Sequence, residues 1–237
     1  VVDKGHITSV TAAGAAPAGA TVIDAKGMPV TPGLMNSATQ VGLTEVSSAS
    51  ATRDMASTSH DLGAAFDVSY GLNGNSTLVD LARADGMTRA LAYPSVSETS
   101  PFSGQAAVIR LREGVDVLDH PRAAMFVVIG GGAWERAAGS RAAQWQLLRN
   151  ALDEAEASSP ASGEKALLNA RDWAAVRNLR AGAMPLAIVT HRESDIRQAI
   201  RLAADYRLRV VIVGGAEAWR AADALAAAKM PVVLDPQ

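Results

Sequence analysis

The sequence predicts an α/β fold, a parallel sheet flanked by helices and preceded by a short β-type segment. Three observations carry this reading. From Pro185 onward, apolar strand-like runs alternate with helical runs at the spacing of strand-helix repeats. Earlier, a helix that Ser76 can cap ends at Gly86 and runs straight into a strand-like segment. Ahead of both, Pro32-Gly33 punctuates the chain, and what precedes it is Gly- and Ala-rich with short alternating stretches.

The length of 237 residues suits one large domain, or a barrel with a small added unit. With 49% hydrophobic and 19% charged residues the chain can bury a core. Its net charge of −2 lacks the basic balance of a nucleic-acid-binding domain. Cysteine is absent, which excludes disulfides and thiolate zinc sites. No apolar run approaches the ~18 residues that span a bilayer, so no membrane span is expected. Val1-Val2-Asp3-Lys4-Gly5 lacks the basic start and long apolar segment of a signal peptide.

Taken in order, residues 1–31 read as short strands, with alternation over His6–Val10 and again over Ala20–Asp24. Leu34-Met35-Asn36-Ser37-Ala38-Thr39 follows Pro32-Gly33 as the first strand of the larger body. Residues 41–58 are polar and read as a loop. Thr77–Asp85 is the Ser76-capped helix, and Thr88–Pro94 is the next strand. Phe102–Leu111 is a turn into a strand, and Ala123–Ile129 is another, ending in Gly130-Gly131-Gly132. A helix is predicted over 140–157, with Trp145, Leu148 and Leu152 at helical spacing, and residues 158–163 break it. Strands at 185–190, 209–213 and 230–234 then alternate with helices over 194–205 and 217–229.

Two segments resemble one family. The first is Gly5 to Leu34, ending "Val22-Ile23-Asp24 … Gly27 … Val30-Thr31-Pro32-Gly33-Leu34", followed by Met35-Asn36-Ser37-Ala38-Thr39-Gln40-Val41-Gly42. The second is Phe66-Asp67-Val68-Ser69 … Asn73 … Ser76. Together they resemble the amidohydrolase superfamily, in particular its imidazolonepropionase-like branch. The resemblance implies a (β/α)8 TIM-type barrel, partial in this chain over 32–237, with residues 1–31 as part of a small N-terminal β-sandwich. It also implies a metal-dependent hydrolase, because the family's first barrel strand carries a His-x-His pair that binds zinc.

In this sequence those two positions hold Ala38 and Gln40, and the preceding aspartate is Asn36. Residues two apart on a strand share a face, so the pair would point together into the barrel mouth. An alanine methyl cannot ligate zinc, and a neutral amide is a poor ligand beside imidazole. In the strand that resembles the family's fifth, Val189 stands at the ligand position and His191 at the second histidine; in the sixth, Gly214-Gly215-Ala216 carries no imidazole. The expected metal ligands are therefore none and the expected cofactor none, with zinc only if the hydrolase reading holds. No catalytic residue is assigned; the barrel-mouth candidates are His191, Gln40 and Asn36.

Two readings of His191 stand: a leftover ligand or substrate-binding group, or a hydrogen-bonded histidine beside Arg192 and Asp195 at a helix start. Gly130-Gly131-Gly132 and Gly214-Gly215 match no phosphate-binding pattern and read as tight strand-to-helix turns. Asp153-Glu154-Ala155-Glu156 reads as a solvated helix face, and Trp134, Trp145, Trp173 and Trp219 as packing anchors.

The functional expectation is an amidohydrolase-like pseudoenzyme that binds a small-molecule ligand or partners an active relative. The alternative is a metal-dependent hydrolase of C–N bonds in cyclic amides, other non-peptide amides or dipeptides. An incomplete barrel exposes strand edges, so a homo-oligomer or a partner chain completing it is expected. Relatives of this branch are often exported, which implies a periplasmic location, with a cytoplasmic one as the alternative.

Overall fold

The computed structural model describes residues 1–12, 14–46, 48–131, 139–161, 163 and 166–234. The chain divides into two compact units, Val1–Pro32 and Gly33–Gln237. In the first, strands β1 (Val2–Asp3) and β2 (His6–Ile7) form an antiparallel hairpin, with Val2 opposite Ile7. The alternation at 20–24 forms no strand, and Val10, Val22, Ile23 and Val30 are exposed. Among the described residues the β structure of this unit is this hairpin. So small a segment buries too little apolar surface to order further strands by itself.

The second unit is a mixed α/β body built on a seven-stranded barrel-like sheet, ordered β3-β4-β5-β6-β7-β8-β9. Its strands are β3 (Leu34–Thr39), β4 (Met87–Ala92), β5 (Gly104–Arg110), β6 (Leu118–Val128), β7 (Leu186–Thr190), β8 (Val210–Gly214) and β9 (Val232–Leu234). Pairing is parallel from β3 to β4 and from β6 through β9, but β5 runs antiparallel to both neighbours. The expected uniform parallel repeat is interrupted there for a physical reason. Only residues 111–117 join β5 to β6, too short a link for the crossover that a parallel pair requires.

Residue alternation along the strands sorts the core into layers. Ala106 of β5, Ala124 and Phe126 of β6, Ala187 of β7 and Val213 of β8 form one apolar cluster. Ala38, Leu91, Tyr93, Val189 and Val233 pack against it, so both end strands reach the same cluster and the sheet is rolled around it. Within it Tyr93 stacks on Phe126 with centroids 4.9 Å apart.

The opposite face of β6–β8, with Met125, Val127, Leu186, Ile188, Val210 and Ile212, packs under helices α2 (Arg141–Glu154), α3 (Ala170–Arg180) and α4 (Glu193–Tyr206). Those helices contribute Leu148 and Leu152, Val176 and Leu179, and Ile196 and Leu202 respectively. Helix α1 (Thr77–Ala84) begins where expected, Ser76 Oγ accepting from the Leu78 amide at 3.3 Å, and packs Val79 against β4 and β5. A 3-10 turn at Ala218–Ala221 leads into α5 (Ala222–Ala227) before β9.

Several local expectations change. Trp219 is 72% exposed and anchors nothing; Arg220 lies over its ring. Trp145 is buried, Trp173 carries the Arg177 guanidinium on its face, and Trp134 lies outside the described residues. The acidic run at the end of α2 is engaged with its neighbours. Tyr206 donates to Asp153 at 2.8 Å, the Leu167 and Leu168 amides donate to Glu154, and Arg180 pairs with Glu156.

Candidate functional site

Because β6, β7 and β8 are parallel, their C-terminal ends lie together at one rim of the sheet, where barrel and open α/β folds build their sites. A cavity of about 570 Å³ opens there, lined by the ends of β6 and β7, by Gly130-Gly131 after β6, by His191 and Arg192 after β7, and by Ala216 and Glu217 after β8. Arg141 and Asp195, from the first turns of α2 and α4, complete it.

The rim is locally braced. The Gly215 amide donates to the Thr190 carbonyl at 2.8 Å, and the Glu217 amide donates to the His191 carbonyl at 2.9 Å. Glu217 Oε2 in turn accepts from the Glu193 amide at 2.8 Å, satisfying one of the free N–H groups at the start of α4. Gly214, at φ +92, lets the His191 ring approach: a Cβ there would lie 2.6 Å from His191 Cε1. Gly130 is constrained in the same way by the Arg141 guanidinium, 2.8 Å from where its Cβ would stand. Gly130 and Gly131 after β6 and Gly214-Gly215 at the end of β8 all have positive φ, and the expected tight strand-to-helix turn forms after β8; Gly132 lies outside the described residues.

Asp195 is the buried charge of the site, 4% exposed. Trp145 Nε1 donates to its Oδ1 at 3.1 Å, and Arg141 Nε lies 3.1 Å from Oδ2 as an ion pair without an aligned hydrogen bond. This pairing neutralises the carboxylate, which burial would otherwise penalise, and the start of α4 favours its charge. Glu217 is likewise engaged, with the Glu193 amide. Arg192, exposed at the N-cap of α4, has no ion pair among the described residues.

Two polar atoms here stand without partners. Thr190 is 1% exposed and its Oγ1 has no hydrogen bond; His191 Nδ1 is also buried and unpartnered. Most buried polar side-chain atoms find a partner, so a pair of orphans lining one cavity marks the site. Of the barrel-mouth candidates, His191 lines this cavity, whereas Asn36 and Gln40 belong to β3 and its exit turn and do not. Asn36 Oδ1 accepts from the Ala38 amide at 3.1 Å, and the Gln40 carbonyl accepts from Leu43 at 2.9 Å. Arg141, Thr190 and Glu217 carry no motif. Arg192 and Asp195 are visible in the sequence only as neighbours of His191.

Zinc, which the family resemblance implies, needs about three protein ligands beside water in a catalytic site. Among the described residues no three His, Cys, Asp or Glu side chains gather in a way that could hold a metal ion. The other histidines lie elsewhere: His6 in β2, His120 in β6 opposite Val108, and His60 at a separate polar cavity. Ala38 and Val189 pack against the apolar cluster inside the sheet. The donor set does not fit zinc, and no step through a metal follows from it.

That separate cavity, of about 390 Å³, is bordered by Asp172, 3% exposed. Its carboxylate accepts from the Gly63 amide at 3.1 Å, the Ala65 amide at 2.7 Å and Asn169 Nδ2 at 3.0 Å, fastening the 63–65 loop to the start of α3. Burial pushes its pKa above the usual carboxylate value, against the pull of those hydrogen bonds. It is a structural group with its acceptors satisfied.

No family model matches this chain, and no curated protein matches it. Among solved structures, an amidohydrolase from Thermotoga maritima MSB8 superposes with a TM-score of 0.74 at 19% identity, over 91% of this chain and 61% of that one. The fold is therefore amidohydrolase-like, and the chain spans less than two thirds of that neighbour's length.

Proposed function

We propose that this chain is an amidohydrolase-like protein of the imidazolonepropionase-like branch that works without the family's metal, binding a small ligand in the cavity over β6–β8. The observation that supports it is the character of the sheet interior. Ala38 and Val189, standing where the resemblance puts zinc-binding histidines, pack among Ala106, Ala124, Phe126, Ala187 and Val213. An apolar layer there offers a cation no electron pairs and would make its desolvation costly.

Elemental analysis of the purified protein tests this, after dialysis against a weak chelator and again after zinc addition. The expected result is no retained metal in either sample. About one or two tightly held ions per chain, the content of working metallohydrolase sites, would sink the reading. The metal-dependent C–N hydrolase would then take its place.

A further inference from the structure

The parallel strands β7, β8 and β9 have a second common end, opposite the rim. Where the chain enters them, a cleft of about 450 Å³ opens beside the C-terminal ends of α4 and α5, within the roughly 300–1,000 Å³ of small-molecule pockets. Its floor is apolar: Leu208, Val210 and Met230 are buried and Val211 is half-buried. Two cations, Arg209 and Lys229, line it, and no carboxylate among the described residues does.

The backbone supplies an independent observation. The residue that turns the chain out of each preceding helix has a positive φ: Gly182 at 80° before β7, Arg207 at 54° before β8 and Lys229 at 50° before β9. Glycine takes this conformation without strain, and the chain uses it only at the first. At the other two, a long cation stands where glycine would be easier. Neither the Arg207 nor the Lys229 side chain has a hydrogen bond or ion pair among the described residues. Lys229 is not required to close α5, because the amides of Ala228, Lys229 and Met230 already donate to the carbonyls of Ala224, Ala226 and Leu225. In the same way the Leu208 amide closes α4 on the Ala203 carbonyl at 3.0 Å.

Charge decides what the cleft can hold. The C-terminal ends of α4 and α5 bring about half an elementary negative charge each. Against them stand full positive charges on Arg207, Arg209 and Lys229, so the mouth is net positive. Asp205, at the end of α4, is paired with Arg149 at 2.8 Å. Arg209 donates one N–H to the Gly182 carbonyl at 2.8 Å, which holds its guanidinium in place and leaves its other N–H groups without a carboxylate among the described residues.

We infer that this cleft binds a free amphiphilic carboxylate, an apolar chain of medium length with an anionic head. The chain lies on Leu208, Val210, Val211 and Met230, where burial removes apolar surface from water. The head pairs with Lys229 and with the free N–H groups of Arg209. The cleft is separate from the rim cavity, and either outcome of the metal analysis leaves it untouched.

Octanoate, its neutral analogue octanamide, its cationic counterpart octylammonium and acetate are the probes, titrated into the full chain while backbone amide NMR signals are followed. Octanoate is expected to shift the amides of residues 207–211 and 228–232 saturably, and octanamide to bind at least about tenfold more weakly. Octylammonium should bind more weakly still, and acetate, which lacks the chain, should give no saturable shift. Lys229→Gly should weaken octanoate several-fold while leaving the melting temperature of the free protein unchanged or raised, by about 2–4 °C at most, because glycine relieves the positive φ. Ala203→Leu, which fills the cleft, should abolish the shifts; if that variant does not fold, Lys229→Gly still decides.

Equal affinity for acid and amide, or unchanged octanoate affinity in Lys229→Gly, would overturn the assignment and leave a plain apolar cleft. Tighter binding of octylammonium would overturn it too, by showing that the helix ends outweigh the cations. Octanoate shifts confined to residues 190–196 and 214–217 would move the ligand to the rim, and no saturable shift with octanoate would remove it altogether.

Discussion

At the scale of single residues, the clearest constraint on the rim is the contact between Gly214 and His191. Gly214→Ala adds a methyl 2.6 Å from the imidazole and holds an L-residue at φ +92. Denaturant unfolding should show a loss of about 1–3 kcal/mol. Removing the ring in Gly214→Ala/His191→Ala should recover the steric part and leave the backbone part.

Asp172 makes the second prediction at this scale. Asp172→Ala leaves the Gly63 and Ala65 amides without their acceptor, and should cost about 1–3 kcal/mol by the same measurement. The pH dependence has a definite sign. A carboxyl whose folded pKa is raised binds its proton more readily in the folded state. Its contribution is fully present below the unfolded value of 3.8 and is lost as pH rises through the folded value. The stability difference between the native protein and Asp172→Ala should therefore shrink as pH rises through that window; a difference that grew would contradict the burial effect. Asp119 has the opposite sign. Arg110, then Arg89, hydrogen-bond its carboxylate and hold its pKa below the ordinary value. Its contribution is present above 3.8 and fades as pH falls through the lowered value.

At the scale of elements, local signals worked where a segment's own residues decide its state. Helix α1 begins at the Ser76 cap, and its C-cap at Asp85 stands just before Gly86, whose φ is +87. Ser76→Ala should cost about 1 kcal/mol in unfolding free energy, with the loss confined to α1 in residue-resolved hydrogen exchange. Local signals failed where a neighbour decides. Helix α3 escaped the periodicity because one of its buried positions is Asp172, a charge on the inward face satisfied by a distant loop. Strand β6 starts at Leu118, five residues before the expected start, because Pro121 breaks the strand pattern locally. The sheet accommodates it: Arg122 sits at φ 52, and the β5–β6 register shifts between Ala106 and Ile109.

At the scale of the whole molecule, the two units differ sharply in burial. Residues of Val1–Pro32 are almost all exposed, whereas β5–β8 contribute fully buried side chains such as Ile109, Phe126, Ile188 and Ile212. Native-state hydrogen exchange should therefore find the amides of β6–β8 the slowest in the chain, and those of the first unit exchanging close to the rate of unstructured peptide. Slow exchange across residues 20–24 would show that the segment pairs with further β structure in solution.

The sequence by itself determined the position of most strands and helices, the break at Pro32-Gly33, the absence of thiolates and the lack of imidazoles at Ala38, Gln40 and Val189. Each of these depends on residue type and short-range spacing. Only the tertiary structure decided that β5 runs antiparallel, that the sheet rolls around one apolar layer, and that Thr190 ends in a cavity without a partner. It alone joined Trp145 to Asp195 across 50 positions and Gly63 to Asp172 across 109. Such contacts have no local period. They arise when the strands pair and the helices cover them, and residues far apart in the chain come within hydrogen-bonding reach.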